Sequence, residues 1–283
     1  KTGGLADVAG SLPRALRQLG HDVRVVMPCY RSAQRNGFSL AKGRKAVDVI
    51  IGGETIRASL RQTIWEGVPY HFIEAPEFFD REYLYGTPDG DYQDNARRFT
   101  FFCRAVLEYM IRADFRPDIL HLHDWQTALI PALLKTERAA DPFFASTATL
   151  LTIHNLGYQG IFPLETIEQL GLPPEFSSTE HLEYFDNISL LKGGIVHADL
   201  VNTVSETYCK EIQQAEQGHG FDSLLRSRSR DLYGILNGIN EKSWDPALDP
   251  ALNKPFSSAN LNGKRSCKRA LQKELGLKEQ HDL

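Results

Sequence analysis

Ile119-Leu120-His121-Leu122-His123-Asp124-Trp125 decides the reading of this chain. A short apolar run, Ile119 to Leu122, ends in polar residues and gives way to a helical pattern from Trp125 to Glu137. That is a strand followed by a helix. The alternation continues downstream. Ala148 to Ile153 reads as a strand, Phe185 to Ala198 as a helix, Leu200 to Val204 as a strand. Ser205-Glu206 then supplies a cap and a first-turn acid for another helix, and Leu232 to Leu236 is a further strand. Strands alternating with helices at this spacing predict an α/β fold with a parallel sheet wrapped on both faces.

Upstream, Leu5 to Leu19 reads as a helix interrupted or kinked near Pro13 and stopped at Gly20, followed by a strand from His21 to Pro28. Ala46 to Ile51, Thr55 to Trp65 and Val68 to Ile73 read as strands joined by turns at Gly52-Gly53 and Glu66-Gly67. The hairpin from Thr55 to Ile73 is expected as a local antiparallel decoration. Phe78 to Gln93, rich in Gly, Pro, Asp and aromatics, is a long loop of the kind that carries function. Asp94 to Arg112 is the clearest helix, with Phe99, Phe102, Cys103, Val106 and Met110 on one core-facing stripe. From Asp245 the pairs Asp245-Pro246, Asp249-Pro250 and Lys254-Pro255 are linker-like, and Asn262 to Leu275 reads as a fresh helix stopped by Gly276. The expected division is 1–244 as one domain and 245–283 as a linker with the start of a second.

A net charge of −4 without a basic stripe argues against a nucleic-acid partner. Arg226, Arg228 and Arg230 alternate with serines and read as a solvated face. Cys29, Cys103, Cys209 and Cys267 are far apart and form no C-x-x-C pair, so they suggest neither a zinc site nor a disulfide framework, and a reducing compartment fits. No apolar run reaches the roughly 20 residues that span a bilayer, so no membrane partner is expected.

Three clusters carry chemistry. Lys1-Thr2-Gly3-Gly4-Leu5-Ala6-Asp7 sets a cation, two glycines and a carboxylate ahead of a helix. Glycines let backbone N–H groups approach an anion, and a helix N-terminus adds positive potential there. With Asp7 for sugar hydroxyls, this suits a phosphorylated sugar. Such a loop should follow a strand and none precedes Lys1, so the chain reads as truncated at its start. His121-Leu122-His123-Asp124 lies at a strand end, where open α/β sheets bind ligands. His121 and His123 face one side and, with Asp124, offer a metal set; the competing readings are that Asp124 caps the next helix or also lines a site. Thr152-Ile153-His154-Asn155-Leu156-Gly157-Tyr158-Gln159-Gly160 follows another strand, and its His and Asn suit hydrogen bonds to hydroxyls. Leu236-Asn237-Gly238-Ile239 reads as a turn, and Lys192-Gly193-Gly194, in mid-helix, as packing glycines or a helix kink. No glycine cluster matches a phosphate-loop or dinucleotide fingerprint.

Together, Lys1 to Val8, His123-Asp124-Trp125-Gln126, Thr152 to Gly160 and Leu236 to Ile239 resemble the bacterial glycogen synthases and plant starch synthases, in order and spacing, to about Trp244. The resemblance implies the Rossmann-like N-terminal, acceptor-side domain of a two-domain GT-B glycosyltransferase. It implies retaining, metal-independent transfer of glucose from ADP-glucose to the non-reducing end of an α-1,4-glucan, glycogen or starch, with no cofactor. By position Lys1 takes the donor phosphate, Gly3 and Gly4 shape its loop, and Asp7, His154, Asn155 and Asn237 lie close to the donor sugar. Tyr92 and Asp124 match cleft positions. His154 and Asp124 are the catalytic candidates; the others bind substrate. The implied location is the bacterial cytoplasm, with the plastid stroma as alternative. The competing functions are a non-catalytic glucan-binding or regulatory module, and a GT-B transferase using another nucleotide sugar. Alone, residues 1–283 are expected to be inactive.

Overall fold

The computed structural model describes residues 3–35 and 40–280. The chain divides into two compact units, Lys1–Leu236 and Asn237–Leu283. The first unit holds two four-stranded sheets. Strands β1 (Val25–Pro28), β2 (Ala41–Ile51), β3 (Glu54–Trp65) and β4 (Val68–Glu74) form the first, in the order β1-β4-β3-β2. The expected turns are in place: Gly52, Gly53, Glu66 and Gly67 all have positive φ. The hairpin is no decoration, however. β4 pairs in parallel with β1 and antiparallel with β3, so it joins the meander to the βαβ-type part of the sheet.

The second sheet is wholly parallel. It comprises β5 (Ile119–His123), β6 (Ala148–Ile153), β7 (Leu200–Thr203) and β8 (Leu232–Gly234), in the order β8-β7-β6-β5. The alternation of strand and helix predicts it well.

Helix α1 (Gly3–Gln18) carries Pro13 inside it and gives way to Gly20 at φ +96°. α2 (Asn95–Ala113) packs against β2, and its stripe Phe99, Phe102, Cys103, Val106 and Met110 is buried in the main core. α3 (Leu129–Lys135) is shorter than expected: residues 125–128 are turns. α4 (Leu190–His197) also starts late. Glu183–Tyr184 and Asn187–Ser189 form a hairpin instead, with Phe185 and Asp186 at φ +48° and +59° in its two-residue turn. Gly193 and Gly194 let α4 sit close to its neighbours. A Cβ on Gly194 would stand 2.6 Å from the Ala128 Cβ and 2.9 Å from the Ala128 carbonyl oxygen. α5 (Glu206–Glu211) is capped as expected, the Ser205 hydroxyl accepting from the Tyr208 N–H at 2.9 Å.

The arginine row is not simply a solvated face. Arg228 is half-buried and donates to the carbonyls of Ile195, Val196 and Ala198, closing the C-terminal end of α4. Arg226 pairs with Asp222 at 2.7 Å. In the second unit, α6 (Asn262–Glu274) runs to Gly276 at φ +66°.

Candidate active site at the strand ends

β5 and β6 are neighbours in the parallel sheet, with His123 opposite Thr152. The ladder runs one bond further, from the Asp124 N–H to the Thr152 carbonyl at 2.9 Å. Asp124 then turns at φ +55°, a left-handed conformation that Asp tolerates better than most residues. The turn sends its carboxylate under the loop that follows β6. Oδ1 accepts from the His154 N–H at 2.7 Å, and the Asn155 N–H donates to the same carboxylate. Asp124 is therefore not the cap of α3, whose N-terminal residue Ala128 makes no side-chain cap. It is 8% exposed, and burial pushes its carboxyl up to about 6 against the pull of the two amides.

Three imidazoles line the same corner. The rings of His121 and His123 lie 4.3 Å apart, facing the same side as a strand requires. Nδ1 of His123 is 3.0 Å from Nε2 of His154. Nε2 of His121 is 2.6 Å from the Thr152 hydroxyl, which donates to Asn202 Oδ1 at 2.6 Å. Thr152 and Asn202 are directly paired across β6 and β7, so three adjacent strands supply one hydrogen-bonded layer. Burial lowers all three histidines, His123 to about 3 and His154 to about 4, and neighbouring imidazoles add to the effect at those two. At neutral pH the cluster is uncharged. It suits hydrogen bonding to hydroxyls, and Asp124 is the group that titrates near neutrality. Among the described residues, no three His, Cys, Asp or Glu side chains are grouped to hold a metal ion.

The loop after β6 is built from the inside. Asn155 Oδ1 accepts from the Gly157 N–H at 2.9 Å, an Asx-type turn that leaves the residue exposed. The Tyr208 hydroxyl accepts from the Leu156 N–H at 3.1 Å. Gly160, at φ +60°, lets the loop close on Trp125: a Cβ there would stand 2.6 Å from the indole. Trp125 also packs against Phe99, Phe162 and Tyr85. The residue next to Asp124 thus ties three loops together.

The third loop, residues 78–92, carries Tyr92. Its N–H bonds to the Tyr85 carbonyl at 3.0 Å, and its ring lies beneath the guanidinium groups of Arg81, at 4.6 Å, and Arg98, at 5.0 Å. Arg81 makes a two-point ion pair with Asp94, at 2.8 and 2.5 Å. Arg98 is wholly buried. It donates to the Phe78 carbonyl at 2.8 Å, the Leu84 carbonyl at 3.0 Å and Asn95 Oδ1 at 2.6 Å. Burial lowers its pKa first of all, and proximity to Arg81 adds to that. Tyr85, facing Asp124 electrostatically, has its hydroxyl pushed up by burial first and by that carboxylate second.

The structure therefore brings together Asp124, His154 and Asn155, with the loop of Tyr92 packed on the adjoining Trp125. Gly3 and Gly4 form the first turn of α1 rather than a loop ahead of it, and Asp7 lies one turn further along. Lys1 lies outside the described residues. Asn237 is exposed and opens the second unit. Sequence reasoning missed Arg98 as the tie of the 78–92 loop. Its one signal was a cation beside Phe99, next to the buried stripe of an amphipathic helix.

Residues 1–227 match the family model described as the starch synthase catalytic domain. A glycogen synthase of Syntrophotalea carbinolica is 54% identical over 277 residues, covering 98% of this chain and 57% of the relative. One from Geotalea daltonii is 50% identical over 283 residues, covering 100% of this chain and 58% of the relative. The solved catalytic domain of starch synthase IV from Arabidopsis thaliana, bound to ADP and acarbose, superposes with a TM-score of 0.88 at 36% identity. It covers 99% of this chain and 57% of that one. The chain thus spans a little over half the length of these relatives.

Proposed function

The chain belongs to the starch synthase catalytic domain family, and from that premise we propose that the full-length protein transfers glucose from ADP-glucose to the non-reducing end of an α-1,4-glucan. The observation that carries this reading is the strand-end cluster of His154, Asn155 and Asp124, with the neutral imidazoles of His121 and His123 at its floor. A sugar offers hydroxyls that both donate and accept. Neutral histidine and asparagine meet both needs, and a loop held from below by a buried carboxylate keeps them in place. The starch synthase bound to ADP and acarbose lends the reading its donor and acceptor classes.

In this reading His154 and Asn155 hold the transferring sugar. Lys1 and the N-terminal end of α1, a 16-residue helix, meet the donor phosphates. Charge builds on the departing diphosphate, and a cation with aligned N–H groups stabilises it in place. Two backbone amides already occupy the Asp124 carboxylate, so Asp124 anchors the His154–Asn155 turn and is not the attacking group. Retention then falls to the donor phosphate itself, and positioning outweighs acid–base chemistry. No metal or cofactor enters. By the resemblance of their motifs, Asp7 and Tyr92 also bind substrate. Both cited relatives are bacterial, which supports a bacterial cytoplasm over a plastid, and the free cysteines suit a reducing compartment of either kind.

The test is labelled-glucose incorporation into glycogen by the full-length protein, with ADP-glucose against UDP-glucose, in the presence of a chelator. Metal-independent transfer with preference for ADP-glucose is expected. Preference for UDP-glucose would make it a transferase of another donor, and glucan binding without turnover would make it a binding module.

A further inference from the structure

The reading above gives the His121–His123 pair only a place at the floor of the cluster, yet its geometry is specific. His123 occupies the gap between two rings, 4.3 Å from His121 and 5.3 Å from His154 between centroids. One of its nitrogens, Nδ1, meets Nε2 of His154 at 3.0 Å. The Nε2 edge of His154 is thus turned inward and engaged. Among the described residues no partner takes Nδ1 of His154, which leaves Nδ1 as the nitrogen free for a ligand.

We propose that His123 is a positioning residue for the transfer reaction: by holding Nε2 it fixes the ring orientation of His154 and couples the tautomer of His154 to its own, and so presents Nδ1 to the sugar. The inference rests on the proposed contact of His154 with the transferring sugar. The reasoning is one of proton placement. In a neutral imidazole one nitrogen donates and the other accepts, and a hydrogen bond at one fixes the role of the other. For histidines that bind metals, partners that orient the ring are worth roughly ten- to a hundredfold in affinity or activity, and the same scale is expected for a histidine that holds a sugar.

The floor beneath His123 is itself anchored. The proton of the Thr152 hydroxyl is committed to Asn202, so the hydroxyl accepts from Nε2–H of His121, and His121 cannot swing away from His123 without losing that bond. Strands β5, β6 and β7 thereby brace one ring from below. Nothing in this arrangement requires a charge on any of the three rings.

The experiment uses the full-length protein carrying His123→Phe, His123→Asn and His154→Ala, alone and with His123→Phe combined with His154→Ala. Phe keeps the ring but abolishes the hydrogen bond; Asn keeps a polar atom where Nδ1 stands. Turnover by His123→Phe should fall on the order of ten- to a hundredfold, with the ADP-glucose KM changed less than about threefold, and His123→Asn should recover most of it. In the His154→Ala background, His123→Phe should cost nothing further. Nitrogen-15 NMR of histidine-labelled protein should show one tautomer for His154 in the unmodified enzyme and an average of two in His123→Phe. Full turnover with an unchanged His154 tautomer in His123→Phe would overturn the proposal. So would equal losses in the Phe and Asn variants that track the thermal midpoint, since that marks a packing role alone. Full activity in His154→Ala would instead defeat the underlying reading of His154, a result distinguishable from both.

Discussion

At the scale of single residues, Asp124 and the histidines pull stability in opposite directions with pH. Asp124 titrates near 6 in the folded chain against an ordinary value of 3.8, so its contribution is present below 3.8 and lost as pH rises through about 6. His123, His154 and His197 are lowered to about 3, 4 and 4. Their contribution is present above 6.5 and lost as pH falls toward those values. Three histidines outweigh one carboxylate, so the thermal midpoint should fall steadily from pH 6.5 to pH 4, and melts across that range check it. A flat profile would contradict the buried neutral cluster. Turnover should show an acid limb near pH 6, as protonation of Asp124 weakens its hold on the His154 and Asn155 amides. Asp124→Asn should remove that limb and lower turnover throughout. Lys1→Gln in the full-length protein should weaken donor use ten- to a hundredfold, since a charge-assisted hydrogen bond is worth roughly 1.5–3 kcal/mol. Unchanged donor kinetics would return Lys1 to the surface. His123, Asp124 and His154 were visible in the sequence because they fall at strand ends. What Asp124 does there was not, because its left-handed turn redirects the side chain across the sheet and no local pattern encodes that.

At the scale of elements, legibility followed the strength of periodicity. α2 was plain because its apolar stripe repeats at helical spacing and lies buried throughout. β2, β3 and β4 were plain because paired turn residues sit at their ends. The start of α4 was misread because Phe185 and Asp186 make a tight turn without glycine or asparagine, the residues that announce such turns. The glycines of α4 were read as packing devices or a kink, and the close approach of Ala128 to Gly194 shows the packing role. Gly194→Ala should therefore destabilise by about 1–3 kcal/mol, since its new methyl meets both the side chain and the backbone of Ala128. A denaturant titration would show it, and an unchanged midpoint would mean that the helices can part freely. Arg98→Met is expected to cost about 3 kcal/mol or more, because two loop carbonyls and the Asn95 side chain lose a buried donor together. It should also loosen the loop of Tyr92, read as faster proteolysis between residues 78 and 92.

At the scale of the whole molecule, the order of strands and helices sufficed to give an α/β fold, whereas the division of its main strands into two separate four-stranded sheets was not legible. Strand pairing is a long-range property, and no local pattern says which edge meets which. The chain spans 57% of the Syntrophotalea relative, so the account assigns transfer to the full-length protein and expects none from residues 1–283 alone. A labelled-transfer assay on that polypeptide checks this, and turnover near that of the intact protein would refute it. The central claim is that the ends of β5 and β6 hold the sugar being transferred. Its most direct test is a structure of the full-length protein with ADP-glucose and a maltooligosaccharide. The account predicts a sugar oxygen within about 3.2 Å of Nδ1 of His154, with Nε2 still on His123. A donor sugar seated elsewhere, with the three histidines touching only one another, would contradict it.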